Sequence, residues 1–217
     1  GASTVSDIST IRTHTTGTIV AAALNDAAGS IGTANVTNIE QTLTGVLRGV
    51  SVANGTSTDD VINLAAFDIA GKGFTIIPGA GDDTINIGSA TATAAGERGD
   101  SALTNGSVMG GQGDDTIAVN ADVTGSGIRG NEGDDAITVT GEFSGATTLN
   151  GNAGDDTIDA SGAEGDVTVI GGSGDDTLSV GNGQTVRGGL GADTFVVAAS
   201  GGVTIEDYDQ LDDPDCF

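Results

Sequence analysis

The sequence has few of the residues from which large globular cores and active sites are usually built. It contains no tryptophan, one tyrosine and five phenylalanines among 217 residues, which argues against a large aromatic core or a sugar-stacking cleft. Two prolines and the lack of a strict every-third-glycine period exclude a proline-rich linker and a collagen helix. The single cysteine, Cys216, cannot form an internal disulfide.

Positive charge is equally scarce. Six Lys and Arg residues oppose 31 Asp and Glu residues, so the formal net charge is −25. Such a chain repels the phosphate backbone and anionic membranes, which excludes nucleic acid as a partner. The longest apolar run, residues 19–24, is too short to span a bilayer, so we expect no membrane insertion. A chain this acidic is either disordered or a cation binder.

A glycine-aspartate motif recurs six times and favours the second of these possibilities. The copies are PGAGDDTINI (78–87), GGQGDDTIAV (110–119), GNEGDDAITV (130–139), GNAGDDTIDA (151–160), GGSGDDTLSV (171–180) and GGLGADTFVV (188–197). Their sixth-position aspartates are 32, 20, 21, 20 and 17 residues apart, and a period near twenty is typical of a solenoid coil. We predict that residues 89–103 form a loop that accounts for the longest interval. Residues 53–64 are a degenerate seventh copy, in which Asp59 and Asp60 fall in place but Thr58 replaces a glycine.

Apolar residues keep one register around every copy. They stand two residues before it and at its eighth and tenth positions, and all eighteen of these positions are aliphatic or aromatic. Spacing by two places side chains on one face of a strand. We therefore predict an all-β fold, a right-handed parallel β-roll or β-solenoid with coils of about 20 residues. One strand precedes each turn and one follows it, so the acidic turns lie along one edge.

The chain divides into three parts on this interpretation. Residues 1–52 are predicted to form a β-rich edge or cap that covers the first coil, which would otherwise present open hydrogen-bonding groups. Residues 53–200 form the roll itself. Residues 201–217 contain a closing strand and a tail.

The acidic turns call for a cation. Equivalent carboxylates in a parallel stack lie about 4.8 Å apart, and two unscreened charges at that distance repel by roughly 0.9 kcal/mol even in water. Glycines at the first, second and fourth positions permit positive φ and let backbone carbonyls crowd inward. Such oxygen ligands suit Ca²⁺, whereas Zn²⁺ favours His or Cys and Mg²⁺ requires tighter octahedral geometry. A plain hydrophilic turn would explain one copy, but six copies in register favour calcium.

These copies resemble the repeats-in-toxin (RTX) nonapeptide, G-G-x-G-x-D-x-U-x, over roughly residues 53–197. The resemblance implies Ca²⁺ as the cofactor, at about five sites, each shared by neighbouring coils. The metal-binding residues that it implies are Asp83, Asp115, Asp135, Asp156, Asp176 and Asp193, with turn glycines Gly81, Gly110, Gly113, Gly130, Gly133, Gly151, Gly154, Gly171, Gly174, Gly188 and Gly191. Secondary candidates, in an outer shell or facing solvent, are the fifth-position aspartates Asp82, Asp114, Asp134, Asp155 and Asp175.

The copies also depart from the family pattern. Family repeats often recur every nine residues and place calcium on both edges, whereas this chain repeats about every twenty. Asn131 and Asn152 replace second-position glycines, Pro78 replaces a first-position glycine and Ala192 a fifth-position aspartate. The first and last sites therefore diverge most from the family pattern. Residues 203–209 (VTIEDYD) resemble the strand that commonly closes such repeats.

Nothing in the sequence indicates catalysis. The only histidine, His14, has no apparent partner, and no metalloprotease, nucleophile-elbow or phosphate-loop motif occurs. Carboxylates that hold calcium cannot also act as a glycosidase acid. We predict that the chain is not an enzyme.

The predicted function is that of a calcium-binding extracellular structural protein of a bacterium, a subunit of a surface layer, fibre or matrix. Repulsion keeps the calcium-free chain expanded in the cell, and calcium supplies folding free energy outside. The resemblance implies secretion, by a type I route. The expected partners are calcium ions together with further copies or a surface or protein partner. Two alternatives are a folding and secretion module of a larger exoprotein or adhesin, and a decoration protein on a virus particle.

Overall fold

Alternating β-branched and polar residues give this chain short strands joined by glycine turns. The computed structural model describes residues 51–53, 59–64, 75–88, 102–198 and 201–207. Regular structure in these ranges is all β, and they contain no helix able to cross a membrane. In chain order the strands are β1 (Ser51–Ala53), β2 (Val61–Leu64), β3 (Thr75–Ile77), β4 (Gly79–Ala80), β5 (Thr84–Gly88), β6 (Ala102–Thr104), β7 (Ser107–Gln112), β8 (Thr116–Asn120), β9 (Asp122–Thr124), β10 (Gly127–Glu132), β11 (Ala136–Val139), β12 (Phe143–Ser144), β13 (Thr147–Ala153), β14 (Thr157–Asp159), β15 (Val167–Ser173), β16 (Thr177–Val180), β17 (Thr185–Leu190), β18 (Thr194–Val197) and β19 (Thr204–Ile205).

The strands pair in parallel and form three sheets. A nine-stranded sheet has the order β1-β3-β7-β10-β13-β15-β17-β19 with β4 beside β7, and a seven-stranded sheet has the order β18-β16-β14-β11-β8-β5-β2. A three-stranded sheet has the order β12-β9-β6. Equivalent residues of successive copies stand side by side, as where Ile117 pairs with Ile85 and Ile137. The prediction of a parallel β-solenoid with coils of about 20 residues is confirmed.

The apolar ladders form one narrow, continuous core. Sixteen of the eighteen predicted core positions are buried, and the exceptions are Phe195 and Val197 in the last coil. Phe195 is partly buried against the core, whereas Val197 is 48% exposed. Each fully buried aliphatic side chain contributes about 1.5–3 kcal/mol. The core therefore holds the sheets together and keeps every turn in the same orientation along one edge.

The three-stranded sheet is a feature that the sequence prediction missed. β6, β9 and β12 place Leu103, Val123 and Phe143 in the core at intervals of 20 residues. These strands are only two or three residues long, so each has too few positions to show an alternating pattern. The predicted loop over 89–103 is too long, because Ala102 and Leu103 belong to β6; residues 89–101 lie outside the described part.

Gln184 closes the far side of a later coil. Its side chain is fully buried, and its Nε2 donates to the carbonyls of Ala160 at 2.9 Å and Ala163 at 3.0 Å. Its Oε1 accepts a hydrogen bond from the Gly181 N–H at 3.0 Å. The side-chain amide thereby satisfies backbone groups that a paired strand would otherwise satisfy.

The ends of the solenoid match two sequence predictions in part. β2 and Asp60 stack on β5 and Asp83, so the degenerate copy forms the first described coil, while Thr58 lies outside the description. Of the segment that resembles a closing strand, β19 pairs with β17. The predicted cap over residues 1–52 lies outside the described residues except for the start of β1, as do His14 and Cys216.

Candidate cation-binding turns

Each acidic turn depends on two residues in the left-handed region. The second and fourth positions of all six copies have φ between +80° and +133°. Asn131 and Asn152 occupy second positions, where asparagine tolerates such a conformation better than other side chains. The first-position glycines do not use the positive φ that glycine permits. They are required for space, because a Cβ on Gly151 would overlap Oδ2 of Asp156.

The sixth-position aspartates form an inward-facing ladder of hydrogen bonds. Asp135 is 2% exposed, and its Oδ1 accepts the N–H of Asp115 in the preceding coil at 2.8 Å. The same bond links every successive pair from Asp60 to Asp193, at N–O distances of 2.7–3.1 Å. Each sixth-position carboxylate therefore secures the backbone of the coil before it.

The fifth-position aspartates form a second ladder that runs in the opposite direction. Oδ1 of Asp114 accepts the N–H of Asp134 in the following coil at 2.8 Å, and this pattern extends from Asp59 to Ala192. These side chains are exposed. Ala192 donates its N–H to Asp175 and has no carboxylate of its own, so the second ladder ends where the repeats end. The two ladders explain why the motif contains adjacent aspartates.

One oxygen of each sixth-position carboxylate is left over. Oδ2 is buried without a hydrogen-bond partner in five of them, namely Asp83, Asp115, Asp135, Asp156 and Asp176. At Gly171 a Cβ would overlap Oδ2 of Asp176 and would lie 2.6 Å from the carbonyl oxygen of Gly188 in the next coil. The orphaned oxygen and this carbonyl thus converge on space that only glycine leaves open. A buried carboxylate oxygen without a donor is costly unless a proton or a cation reaches it.

The pKa values of these carboxyls reflect the cost of burying a carboxylate oxygen without a donor. Burial raises the pKa of Asp83, Asp115 and Asp176 to about 6, with neighbouring carboxylates adding to the rise and a backbone N–H opposing it. The same causes raise the pKa of Asp135 and Asp156 to about 7. The pKa of Asp193 is also raised, chiefly by burial. The turns therefore favour neutralisation of their inner carboxyls near neutral pH.

The donor set fits Ca²⁺ if main-chain oxygens take part. Within the described ranges no three His, Cys, Asp or Glu side chains converge as a metal centre would require. Main-chain oxygens are abundant, since a Cβ on Gly133 would overlap the carbonyl oxygen of Gly113 and the same close approach recurs along the edge. Ca²⁺ accepts six to eight oxygen ligands of mixed carboxylate and carbonyl type in flexible geometry. The residues present are compatible with such a site.

We expect the calcium-free fold to become more stable as the pH falls. The five orphaned carboxyls have folded-state pKa values of about 6 to 7, whereas an unfolded Asp has a pKa of about 3.9. Groups whose pKa is raised on folding stabilise the fold below the unfolded pKa, and this contribution is lost as the pH rises through the folded pKa. In chelator, the folded fraction of the chain measured by circular dichroism should be larger at about pH 5 than at about pH 8.

Saturating calcium provides the control for this pH prediction. Calcium and protons compete for the same oxygens, so the stabilisation by acid should vanish when calcium is present. A folded fraction in chelator that does not change with pH would contradict the prediction.

A comparison with known protein families finds calcium-binding repeats at this edge of the molecule. The family model of the RTX calcium-binding nonapeptide repeat (four copies) matches residues 143–164 and 160–186. The matched stretches contain the turns of Asp156 and Asp176 and are narrower than the resemblance over 53–197. No curated protein and no solved structure matches the chain.

Proposed function

From the RTX calcium-binding repeats that this chain carries, we propose that it is a structural protein of the bacterial exterior which folds when calcium binds after export. The observation that supports this most is the row of five buried Oδ2 atoms without a partner. Such a row is unfavourable in the calcium-free state because the carboxylates are both desolvated and close to one another. Bound calcium would supply the missing positive charge, so that binding free energy becomes folding free energy.

The proposed sites lie between successive coils. A sixth-position aspartate would provide Oδ2, and the next coil's first-position glycine, such as Gly171 opposite Asp156, would provide a carbonyl oxygen. The carbonyls of the second and fourth turn positions would complete the oxygen shell. Five orphaned oxygens correspond to the five intervals between six copies, in keeping with about five sites. Fifth-position aspartates stay secondary, because their side chains are exposed to solvent, whereas the sixth-position Oδ2 atoms are buried without a partner.

The extracellular setting is inferred from the charge. A chain of net charge −25 with closely spaced carboxylates resists compaction where calcium is scarce and folds where calcium is plentiful. A second candidate is a folding and secretion module of a larger exoprotein, because calcium-dependent folding of the repeats would serve that role equally well. Neither role requires an enzymatic activity of these turns.

A calcium titration of chelator-treated protein tests the proposal. Far-UV circular dichroism should show a transition from coil to strand at millimolar calcium, and magnesium at the same concentration should not produce it. Light scattering recorded on the same sample distinguishes the two roles, since growth in scattering indicates an assembling subunit and folding without growth indicates a module. A chain that is fully folded in chelator at about pH 8 would overturn calcium-dependent folding.

A further inference from the structure

Asparagine followed by glycine is a dipeptide in which a side-chain amide reacts readily with the chain's own backbone. The glycine nitrogen attacks Cγ of the asparagine, the Cγ–Nδ2 bond breaks, and ammonia leaves behind a cyclic imide. Water then opens the ring at one of its two carbonyls and gives aspartate or isoaspartate. Glycine favours the attack because it has no Cβ to hinder the approach. This reaction is one reason why asparagine is a thermolabile residue.

The chain contains four such dipeptides, and the structure describes three of them. The described pairs are Asn105–Gly106, Asn150–Gly151 and Asn182–Gly183, while Asn54–Gly55 lies outside the described residues. The ring closes only if the asparagine side chain can turn toward the next nitrogen and if that nitrogen can give up its proton. The surroundings of the three pairs differ in both respects.

The pair Asn150–Gly151 is held inside a sheet. It lies in β13, which has β10 on one side and β15 on the other. Gly151 is buried, and Oδ1 of Asn150 accepts the N–H of Asn152 at 3.2 Å. An extended backbone that is fixed by two neighbouring strands cannot bend to form the ring. Reaction at this pair therefore requires the array to open in its middle.

The pair Asn105–Gly106 is held by a buried serine. Gly106 is buried, and its N–H donates to Oγ of Ser126 at 3.0 Å. Ser126 is 3% exposed, and the Gly106 carbonyl accepts the N–H of Gly127 at 3.0 Å. Asn105 itself is exposed, but the nitrogen that must attack it is enclosed and hydrogen-bonded. The protein interior thus protects the second partner of the reaction.

The pair Asn182–Gly183 lies in an open turn on the far side of the coil that follows Asp176. Both of its residues are exposed, and Gly183 has a φ of +79°. The Gly183 N–H donates to the carbonyl of Gly202 at 3.1 Å. Gly202 is also exposed, and a Cβ on the adjacent Gly201 would meet no atom within 4 Å. A bond to such an exposed segment opens more readily than a bond inside the array.

We propose that Asn182 is a site of spontaneous deamidation in the folded protein, and that the fold protects Asn105 and Asn150. The attacking nitrogen at Asn182 is held by one hydrogen bond to an exposed residue. The attacking nitrogens of the other two pairs belong to buried glycines. Solvent exposure of the glycine, rather than of the asparagine, therefore separates the three pairs.

The isoaspartate product would strain the turn that Gln184 closes. In isoaspartate the main chain runs through Cβ and Cγ, which adds one carbon atom between Gly181 and Gln184. The Gln184 side chain bonds to Gly181 in this turn and to the carbonyls of Ala160 and Ala163 in the preceding coil. A longer turn is expected to break at least one of these bonds and to leave a buried group unpaired. The aspartate product adds only a charge.

Peptide mapping of incubated protein tests the inference. Samples are kept at about pH 8 and digested, and the mass gain from exchange of an amide for a carboxyl is followed for each asparagine. In protein folded with calcium, Asn182 should deamidate at least about tenfold faster than Asn105 and Asn150. In concentrated urea with chelator, the three rates should agree within about threefold, because glycine follows each asparagine. Circular dichroism before incubation establishes the folded and the unfolded state.

Two outcomes would overturn the inference. Equal rates in the folded sample would mean that the fold does not select the site, and faster reaction at Asn105 or Asn150 would mean that the buried glycines are the more accessible ones. The comparison needs one folded and one unfolded sample, so it does not rest on calcium-dependent folding.

The substitution Asn182→Asp is the matched control for the damage that isoaspartate causes. It supplies the charge of the aspartate product without the additional main-chain carbon. In calcium its urea midpoint should equal that of the unmodified protein, whereas the isoaspartate fraction, isolated by ion exchange, should unfold at a lower urea concentration. Equal midpoints of the isoaspartate fraction and of Asn182→Asp would contradict the strain assigned to the Gln184 turn.

Discussion

Gly151→Ala is expected to lower the free energy of unfolding in calcium by about 3 kcal/mol or to prevent folding altogether. The new Cβ would overlap Oδ2 of Asp156 and would lie 2.7 Å from the carbonyl oxygen of Gly171. The carboxylate must then move, which breaks the hydrogen bond that its Oδ1 accepts from Asp135 and removes a proposed calcium ligand. Urea unfolding followed by circular dichroism, together with the number of calcium ions bound, measures both effects.

Gly162→Ala is the matched control for this substitution. Gly162 lies on the far side of the coil that follows the same turn, and a Cβ placed on it meets no atom within 4 Å. Its φ is outside the left-handed region, so alanine should change the free energy of unfolding by no more than about 0.5 kcal/mol. If the two substitutions had equal effects, the first-position glycines would not be the space-limiting residues that the structure indicates.

Asp135→Asn is expected to change stability in opposite directions with and without calcium. In chelator at about pH 8 the substitution removes a buried charge whose pKa is raised to about 7. Because one pKa unit corresponds to about 1.4 kcal/mol, the fold should gain up to about 4 kcal/mol. Asparagine retains an oxygen that can accept the Asp115 N–H, and its amide can donate to a turn carbonyl. In calcium the variant loses a charged ligand, so calcium affinity should fall at least tenfold.

The neighbouring substitution Asp134→Asn separates this effect from a general loss of charge. Asp134 is exposed, and asparagine can still accept the N–H of Asp155. We expect small changes of the same sign in both conditions, measured as the folded fraction by circular dichroism in chelator and by urea unfolding in calcium. If Asp135→Asn destabilised the chelated protein, the orphaned oxygen would not be a source of instability. If it left calcium affinity unchanged, Asp135 would not be a calcium ligand.

The parallel coil could be predicted from the sequence because two independent signals coincide. The twenty-residue recurrence of Gly-Asp-Asp marks the turns, and the apolar residues on either side, such as Ile128 and Ile137, keep a period of two. Equivalent residues must then stack, which places Ile137 beside Ile117 and Ile158. Repetition therefore compensated for strands of only two to seven residues, each of which would be ambiguous alone.

The remaining features depend on contacts between coils, which local patterns do not reveal. Positive φ and lack of a Cβ both favour glycine, so the sequence could not separate the conformational role of the fourth position from the steric role of the first. The opposite directions of the two carboxylate ladders follow from side-chain rotamers rather than from spacing. The strands β6, β9 and β12 are set by tertiary packing of Leu103, Val123 and Phe143 in segments that otherwise consist of small and polar residues.

The two ladders of aspartates also make the molecule adjustable in length. Each inner coil presents the same donors and acceptors to the coil before it and to the coil after it, so one whole period can be duplicated or removed without leaving a bond unmade inside the array. Every added period of about 20 residues lengthens the array by about 4.8 Å. Duplication of one repeat in the gene therefore changes the length of the protein and leaves the chemistry of its acidic edge unchanged.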